Sequence, residues 1–196
     1  SLFTLLVFGG SAGASRINQV TPSAVAKLSE ALRGSAATKK LQIKVIHQTG
    51  KPDYEAVRAD YEARRISARV FPFINSMGRA YAEADLVICR AGAMTLSELA
   101  LLRKAAILVP YPYAADNHQQ TNAETMVRAG AAIMVLDETL TTERLTHVLH
   151  EVLSEGRAID EMARAAGKLA RPDATAAVVD TCLAQFAEGS SVEQGG

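Results

Sequence analysis

The 196-residue chain is short of cysteine, of net charge and of long apolar runs, and each shortage excludes a class of protein. Its two cysteines, Cys89 and Cys182, lie in apolar surroundings, provide no disulfide framework and point to a reducing cytoplasm. Twenty-one basic residues stand against 21 acidic ones, so no overall field exists to hold nucleic acid or anionic lipid by electrostatics alone. No apolar stretch reaches the roughly 18 residues needed to span a bilayer. Residues 105–115 come closest, and Pro110 and Pro112 interrupt them. Leu2 to Phe8 is apolar enough for a signal-peptide core, but it has no basic leader and runs straight into a glycine turn. With no initiator Met and a start almost inside a strand, the chain reads as a fragment or excised domain whose N-terminal part precedes it.

Several chemistry-bearing motifs are also lacking. There is no Ser-His-Asp or Cys-His arrangement with supporting context and no HExxH. His147 and His150, with Glu143 and Glu151, share a helix face that is able to hold a metal in principle, but such a charged stripe is more often solvated. The glycine turn Gly9-Gly10-Ser11-Ala12-Gly13-Ala14 lacks the Lys that a Walker loop requires after its last glycine. The second strand ends in His47-Gln48 instead of the acidic residue that holds the ribose in dinucleotide folds, which argues against NAD or FAD.

What is present is an apolar content of 48% arranged in alternating patterns. Continuous apolar runs predict strands at 2–8, 41–47, 68–72, 85–89, 105–109 and 131–135. Segments of 3.6-residue period predict helices at 14–33, 53–65, 76–83, 95–102, 118–129, 141–154, 158–169 and 173–187. Strand–helix alternation implies an α/β fold: a Rossmann-like, doubly wound parallel sheet of about six strands with helices on both faces. Residues 1–188 form the domain and 189–196 a flexible tail.

In such sheets, ligands bind outside the carboxyl ends of the strands. Three turns fall there. The first is the glycine turn, which either cradles phosphate against a helix N-terminus or is a plain tight turn. The second is Arg90-Ala91-Gly92-Ala93-Met94-Thr95-Leu96-Ser97-Glu98, following the run Asp85-Leu86-Val87-Ile88. Thr95 and Glu98 have capping-box spacing, and a carboxylate in a first turn is also placed to grip a sugar diol. Arg90 is able to meet a phosphate or to pair with Asp85 or Glu98. The third runs from Pro110 through Asp116, Asn117 and His118 to Gln119, Gln120 and Asn122. It is either a polar helix start, capped by Asp116 or Asn117, or a sugar reader built on adjacent amides.

Taken together with His47-Gln48-Thr49-Gly50-Lys51, Phe73-Ile74, Met77 and Tyr81-Ala82-x-Ala84-Asp85, these motifs resemble the C-terminal half of the MurG family over essentially all of residues 2–187. Those enzymes are UDP-N-acetylglucosamine:N-acetylmuramyl-(pentapeptide) pyrophosphoryl-undecaprenol N-acetylglucosamine transferases. The resemblance implies the C-terminal, donor-binding half of a GT-B glycosyltransferase. It implies UDP-N-acetylglucosamine as donor, a lipid-linked acceptor (lipid I, converted to lipid II) held by an N-terminal domain that also touches the cytoplasmic face of the membrane, and no metal or other cofactor. It places the last helices, near 158–187, back toward that domain, which also carries the general base. By motif, Gly10, Ser11 and Gly13 meet the diphosphate and Ile74 holds uracil through its main chain. Ala93, Met94 and Thr95 line the phosphate side, where the cation of Arg90 is also a candidate by residue type, Glu98 binds the ribose, Gln119 and Gln120 read the sugar, and Asn122 supports their helix start. Ala12 and Ala91 stand where the family often has Gln and Ser, and Arg103-Lys104-Ala105-Ala106 where Gly-x-Pro-Ala is usual. The alternatives are the donor-binding subunit of a dolichol-linked N-acetylglucosaminyl transferase, a UDP-sugar epimerase, or a nucleotide-binding module without transfer activity.

Overall fold

The computed structural model describes residues 2–9, 14–34, 41–114, 117–154 and 157–170. Six strands form one sheet: β1 (Leu2–Phe8), β2 (Gln42–Gln48), β3 (Ser67–Phe71), β4 (Leu86–Cys89), β5 (Ala105–Leu108) and β6 (Ala132–Met134). All pairings are parallel and the order is β3-β2-β1-β4-β5-β6. The connecting helices are α1 (Ser15–Gly34), α2 (Tyr54–Ala63), α3 (Met77–Glu83), α4 (Ala93–Leu101) and α5 (His118–Arg128), followed by α6 (Thr142–Ser154) and α7 (Ala158–Lys168). The doubly wound expectation holds. The helix expected at 173–187 and the tail lie outside the described residues.

The apolar runs behave as two-faced strands. In β1, Phe3, Leu5 and Val7 face a core shared with Ile17, Leu28, Tyr61 and Leu145, drawn from α1, α2 and α6. Leu6 and Phe8 face the other core, with Tyr81, Leu99, Met126 and Ala166 from α3, α4, α5 and α7. Each such side chain contributes about 1.5–3 kcal/mol by leaving water. A strand apolar on both faces has no side-chain pattern to hold its register, since a one-residue slip exchanges one apolar face for another. A polar clip pins it instead. Thr4 N–H donates to Asp85 Oδ2 at 2.7 Å, and Asp85 N–H donates back to the Thr4 carbonyl at 2.9 Å.

The order reverses direction between β1 and β4, and that switch point is where a crevice opens at the strand ends. The helix–strand turn that departs from Gly-x-Pro-Ala holds Arg103 at φ +50°, a left-handed conformation that favours glycine. Among the described residues, no helix is long and apolar enough to cross a membrane.

Candidate functional site

The glycine turn connects β1 to α1 at the switch point. Gly10, Ser11 and Gly13 lie outside the described residues, but the turn's two flanks are built tightly. A Cβ on Gly9 would collide with the Cβ of Ala14, so the chain closes on itself there only because Gly9 has no side chain.

The start of α1 is held by a buried polar chain. His47, at the end of β2, is fully buried between Tyr61 and Asn18: its Nδ1 lies 3.0 Å from the Tyr61 hydroxyl and its Nε2 lies 3.0 Å from Asn18 Oδ1. Asn18 uses its amide nitrogen to donate to the Thr49 carbonyl and to Asp53 Oδ2, at 2.8 and 2.7 Å. Its oxygen is therefore the acceptor, so His47 carries its proton on Nε2 and accepts at Nδ1 from the Tyr61 hydroxyl. Burial pushes this imidazole down to about 3, against the opposing pull of the Asp53 charge. It is neutral at all ordinary pH values and orders the strand end.

Ile74, four residues past the Val70 position of β3, is buried beside Phe8 and Tyr81. Its N–H does not stand open: Gln48 Oε1 accepts it at 2.9 Å.

The turn after β4 departs from expectation in its helix start. α4 begins at Ala93, capped by the extended backbone of Gly92 (φ −66°, ψ 145°), and no side chain caps it. Thr95 and Glu98 thus form no capping box, because Thr95 is already the third helical residue. The N-terminus formed by Ala93, Met94 and Thr95 faces the strand ends without a side-chain cap. Glu98 lies beyond the first turn, where its Oε2 accepts from the Tyr81 hydroxyl at 2.8 Å. Tyr81 packs edge-on against Phe8, with ring centroids 6.0 Å apart. The Glu98 charge also helps burial raise the pKa of the inert Cys89 thiol.

Arg90 pairs with neither Asp85 nor Glu98, both of which have other partners. Its Nη1 meets Asp137 Oδ1 at 2.6 Å and donates to the carbonyls of Val109 and Pro110, both at 3.2 Å. The guanidinium carbon sits 5.5 Å from the Tyr111 ring centroid. Arg90 therefore ties together the loops after β4, β5 and β6. The guanidinium expected to meet a phosphate is occupied by Asp137, although its buried Nε has no partner.

Two amides of α5 clamp Ala91 from both sides. Gln119 Oε1 accepts from the Ala91 N–H at 3.1 Å and from the Tyr111 N–H at 3.0 Å. Asn122 Nδ2 donates to the Ala91 carbonyl at 3.2 Å. The Gln119 oxygen is thus consumed in fixing backbone, leaving its amide nitrogen as the donor. Gln120 lines a cleft of about 220 Å³ with Pro110, Tyr111, Asn117 and Asp137. Asn117 itself takes the N-cap position of α5 at φ +53°. A larger groove of about 430 Å³ between α4, α5 and the end of α7 meets this edge only at Ala93 and Asn122; its walls are Leu96, Ala100, Met126 and Leu169.

The structure therefore brings Ala91, Gln119 and Asn122 into direct contact and sets Glu98 on the same face. It separates Arg90 into a structural ion pair. Among the described residues no three His, Cys, Asp or Glu side chains are placed to hold a metal ion. Glu143 pairs instead with Lys27, and His147 lies 3.9 Å from Glu151 on the exposed face of α6. Reading the sequence missed Asp137, which follows β6 in a short 3-10 turn (Asp137–Thr139) and has no local motif. It also gave no site role to Gln48, quoted only as a strand end and within the His47-Gln48-Thr49-Gly50-Lys51 motif.

Residues 4–178 match the family described as glycosyltransferase family 28 C-terminal domain. The UDP-N-acetylglucosamine--N-acetylmuramyl-(pentapeptide) pyrophosphoryl-undecaprenol N-acetylglucosamine transferase of Marinobacter nauticus is 48% identical over 179 residues, covering 91% of this chain and 47% of that protein. The enzyme of the same name from Myxococcus xanthus is 45% identical over 181 residues, covering 92% and 45%. The crystal structure of Acinetobacter baumannii MurG superposes with a TM-score of 0.78 at 36% identity, covering 93% of this chain and 52% of that one. The chain thus spans about half the length of the curated relatives it matches. Further solved structures, at 20% identity or less, share the fold alone.

Proposed function

Because the chain belongs to the glycosyltransferase family 28 C-terminal domain family, we propose that it is the donor-binding half of an inverting glycosyltransferase. The enzyme transfers N-acetylglucosamine from UDP-N-acetylglucosamine to lipid I, giving lipid II for peptidoglycan. The observation that carries this reading is the clamp on Ala91. It seats the amide pair of α5 against the turn that leads to the open N-terminus of α4, with Glu98 one helical turn further on. A sugar, a diphosphate and a ribose diol need those three kinds of group side by side.

The donor lies along the strand ends. Uracil meets the Ile74 peptide, the ribose hydroxyls donate to Glu98, and the diphosphate faces Gly10, Ser11 and Gly13 together with the N–H groups of Ala93, Met94 and Thr95. The Gln119 amide nitrogen and Gln120 read the sugar, while Asn122 and Arg90 hold the loops that present them. Displacement at the anomeric carbon releases UDP with its negative charge. Helix N-termini, each equivalent to roughly half a positive charge, stabilise that leaving group. The acceptor hydroxyl requires a general base, which the N-terminal domain of the full-length protein supplies. That domain also carries the acceptor and the contact with the cytoplasmic face of the membrane.

Calorimetry with UDP-N-acetylglucosamine tests the reading. Glu98→Gln keeps an acceptor for Tyr81 but loses the charge toward the ribose, so donor affinity falls about tenfold with the melting temperature unchanged. Unaltered affinity removes Glu98 from the site. Turnover of a lipid I analogue by this chain alone, at the full-length rate, overturns the division of labour.

A further inference from the structure

The 3-10 turn after β6 is gripped from both sides of the switch point. Arg16, the second residue of α1, reaches it from one side: Nε donates to the Leu140 carbonyl at 3.2 Å and Nη2 to the Glu138 carbonyl at 3.3 Å. Arg90, which follows β4 and stands two residues before the Gly92 cap of α4, meets Asp137 Oδ1 from the other side at 2.6 Å. Two guanidinium groups from different strand–helix units thus hold one short segment. A guanidinium is a rigid planar fork, so two bonds from it fix direction as well as contact. The segment is itself stiff. Thr139 N–H donates to the Leu136 carbonyl at 3.0 Å, and Leu140 N–H donates to the Asp137 carbonyl at 3.2 Å. Val135 N–H donates to the Leu108 carbonyl at 2.9 Å, fastening the base of the segment to β5. The Leu140 side chain is buried in the same core as Ile17 of α1.

We propose that this turn is a strut that sets the separation of the α1 and α4 starts, with Arg16 and Asp137 as its positioning residues. This rests on the reading that the donor diphosphate faces the turn into α1 and the start of α4. Arg16 holds the α1 side by its two carbonyl bonds. Asp137 holds the α4 side through Arg90, the residue next to the clamped Ala91. Two helix starts act together on one diphosphate only when both stand at hydrogen-bond distance from it. Preorganised donors lose much of their effect when displaced by about 1 Å. Neither Arg16 nor Asp137 needs to touch the donor for this.

Arg16→Ala and Asp137→Asn, singly and together, test this in the full-length protein. Arg16 is exposed, so its truncation leaves the fold intact, and melting curves check every variant. If Asp137→Asn does not fold, Arg16→Ala alone decides. UMP and UDP are titrated against each protein. The ratio of UMP to UDP dissociation constants reports what the second phosphate gains from the two helix starts, and a loss of stability alone does not move it. The expected result is a fall in this ratio of about fivefold in either single variant. The double variant falls no further, because a strut released at one end no longer holds the other. In turnover kcat falls by about tenfold, since the leaving UDP carries its charge in the transition state. The fall in the ratio keeps its size at about 0.5 M salt, where an exposed charge acting directly on the ligand is screened. An unchanged ratio in either variant overturns the proposal, as do losses that multiply in the double variant. A loss that disappears with salt also overturns it, and makes Arg16 a direct electrostatic partner of the ligand. Tighter UDP in Asp137→Asn overturns it too, since Arg90 is then a phosphate ligand that Asp137 restrains. Wild type that binds UMP and UDP equally overturns the diphosphate reading itself.

Discussion

The polar edge of the sheet has two halves, built on different principles. At the ends of β1 and β2 the groups saturate one another: Tyr61, His47 and Asn18 form a buried chain that ends on the partly exposed Asp53. At the ends of β4, β5 and β6 the side chains bind mostly backbone: Arg90, itself buried, takes two carbonyls besides Asp137, while the partly exposed Gln119 takes two N–H groups and Asn122 one carbonyl. The first half is a fixed foundation under the glycine turn. The second is a set of loops held in place by amides and a guanidinium, where, among the described residues, the Gln119 amide nitrogen keeps no partner. Rigidity and ligand-facing capacity are thus divided between the halves.

The largest way to break this contrast is at Arg90. Its side chain and that of Asp137 are only 10% and 16% exposed. Arg90→Ala leaves a largely buried carboxylate alone and two carbonyls unpaired, and costs about 3 kcal/mol in urea unfolding. A loss of donor affinity without loss of stability would instead make Arg90 a phosphate ligand.

The foundation yields a slightly smaller effect with a pH signature. His47→Leu strands the Tyr61 hydroxyl and the Asn18 oxygen in the core, costing about 2–3 kcal/mol. In wild type the native imidazole protonates only near 3, whereas the unfolded one does so near 6.5. Between those values the unfolded chain binds the extra proton, so stability from this group is complete above pH 6.5 and is lost as pH falls, by up to about 1.4 kcal/mol per unit. Unfolding titrations from pH 7 to pH 4 will show a shallower slope in His47→Leu. Equal slopes would place the imidazole in contact with water.

The smallest effect lies outside both halves and calibrates them. Arg103→Gly relieves the left-handed backbone at φ +50° and stabilises by about 0.5–1 kcal/mol, with donor affinity unchanged.

The strands were readable to within one or two residues, since a strand covered on both faces must be apolar at every position, as in Leu5-Leu6-Val7-Phe8. The Thr95–Glu98 spacing misled because a capping box is a pattern of residue types, while the start of α4 is decided by the extended backbone at Gly92, three residues before Thr95. Arg90 offered three plausible partners nearby or in a ligand. It found Asp137, 47 residues away, because β6 lies beside β5 and brings its following turn over the same edge.

Composition and periodicity alone determined the alternation, the doubly wound sheet and the edge at which polar residues gather, because burial of apolar surface depends on which residues recur and at what interval. Which polar atom at that edge is spent on backbone and which is left for a ligand was decided by tertiary structure. Hydrogen bonds are directional and short, so Gln48, Gln119 and Arg90 acquired their roles only when the fold set a particular N–H, carbonyl or carboxylate about 3 Å away.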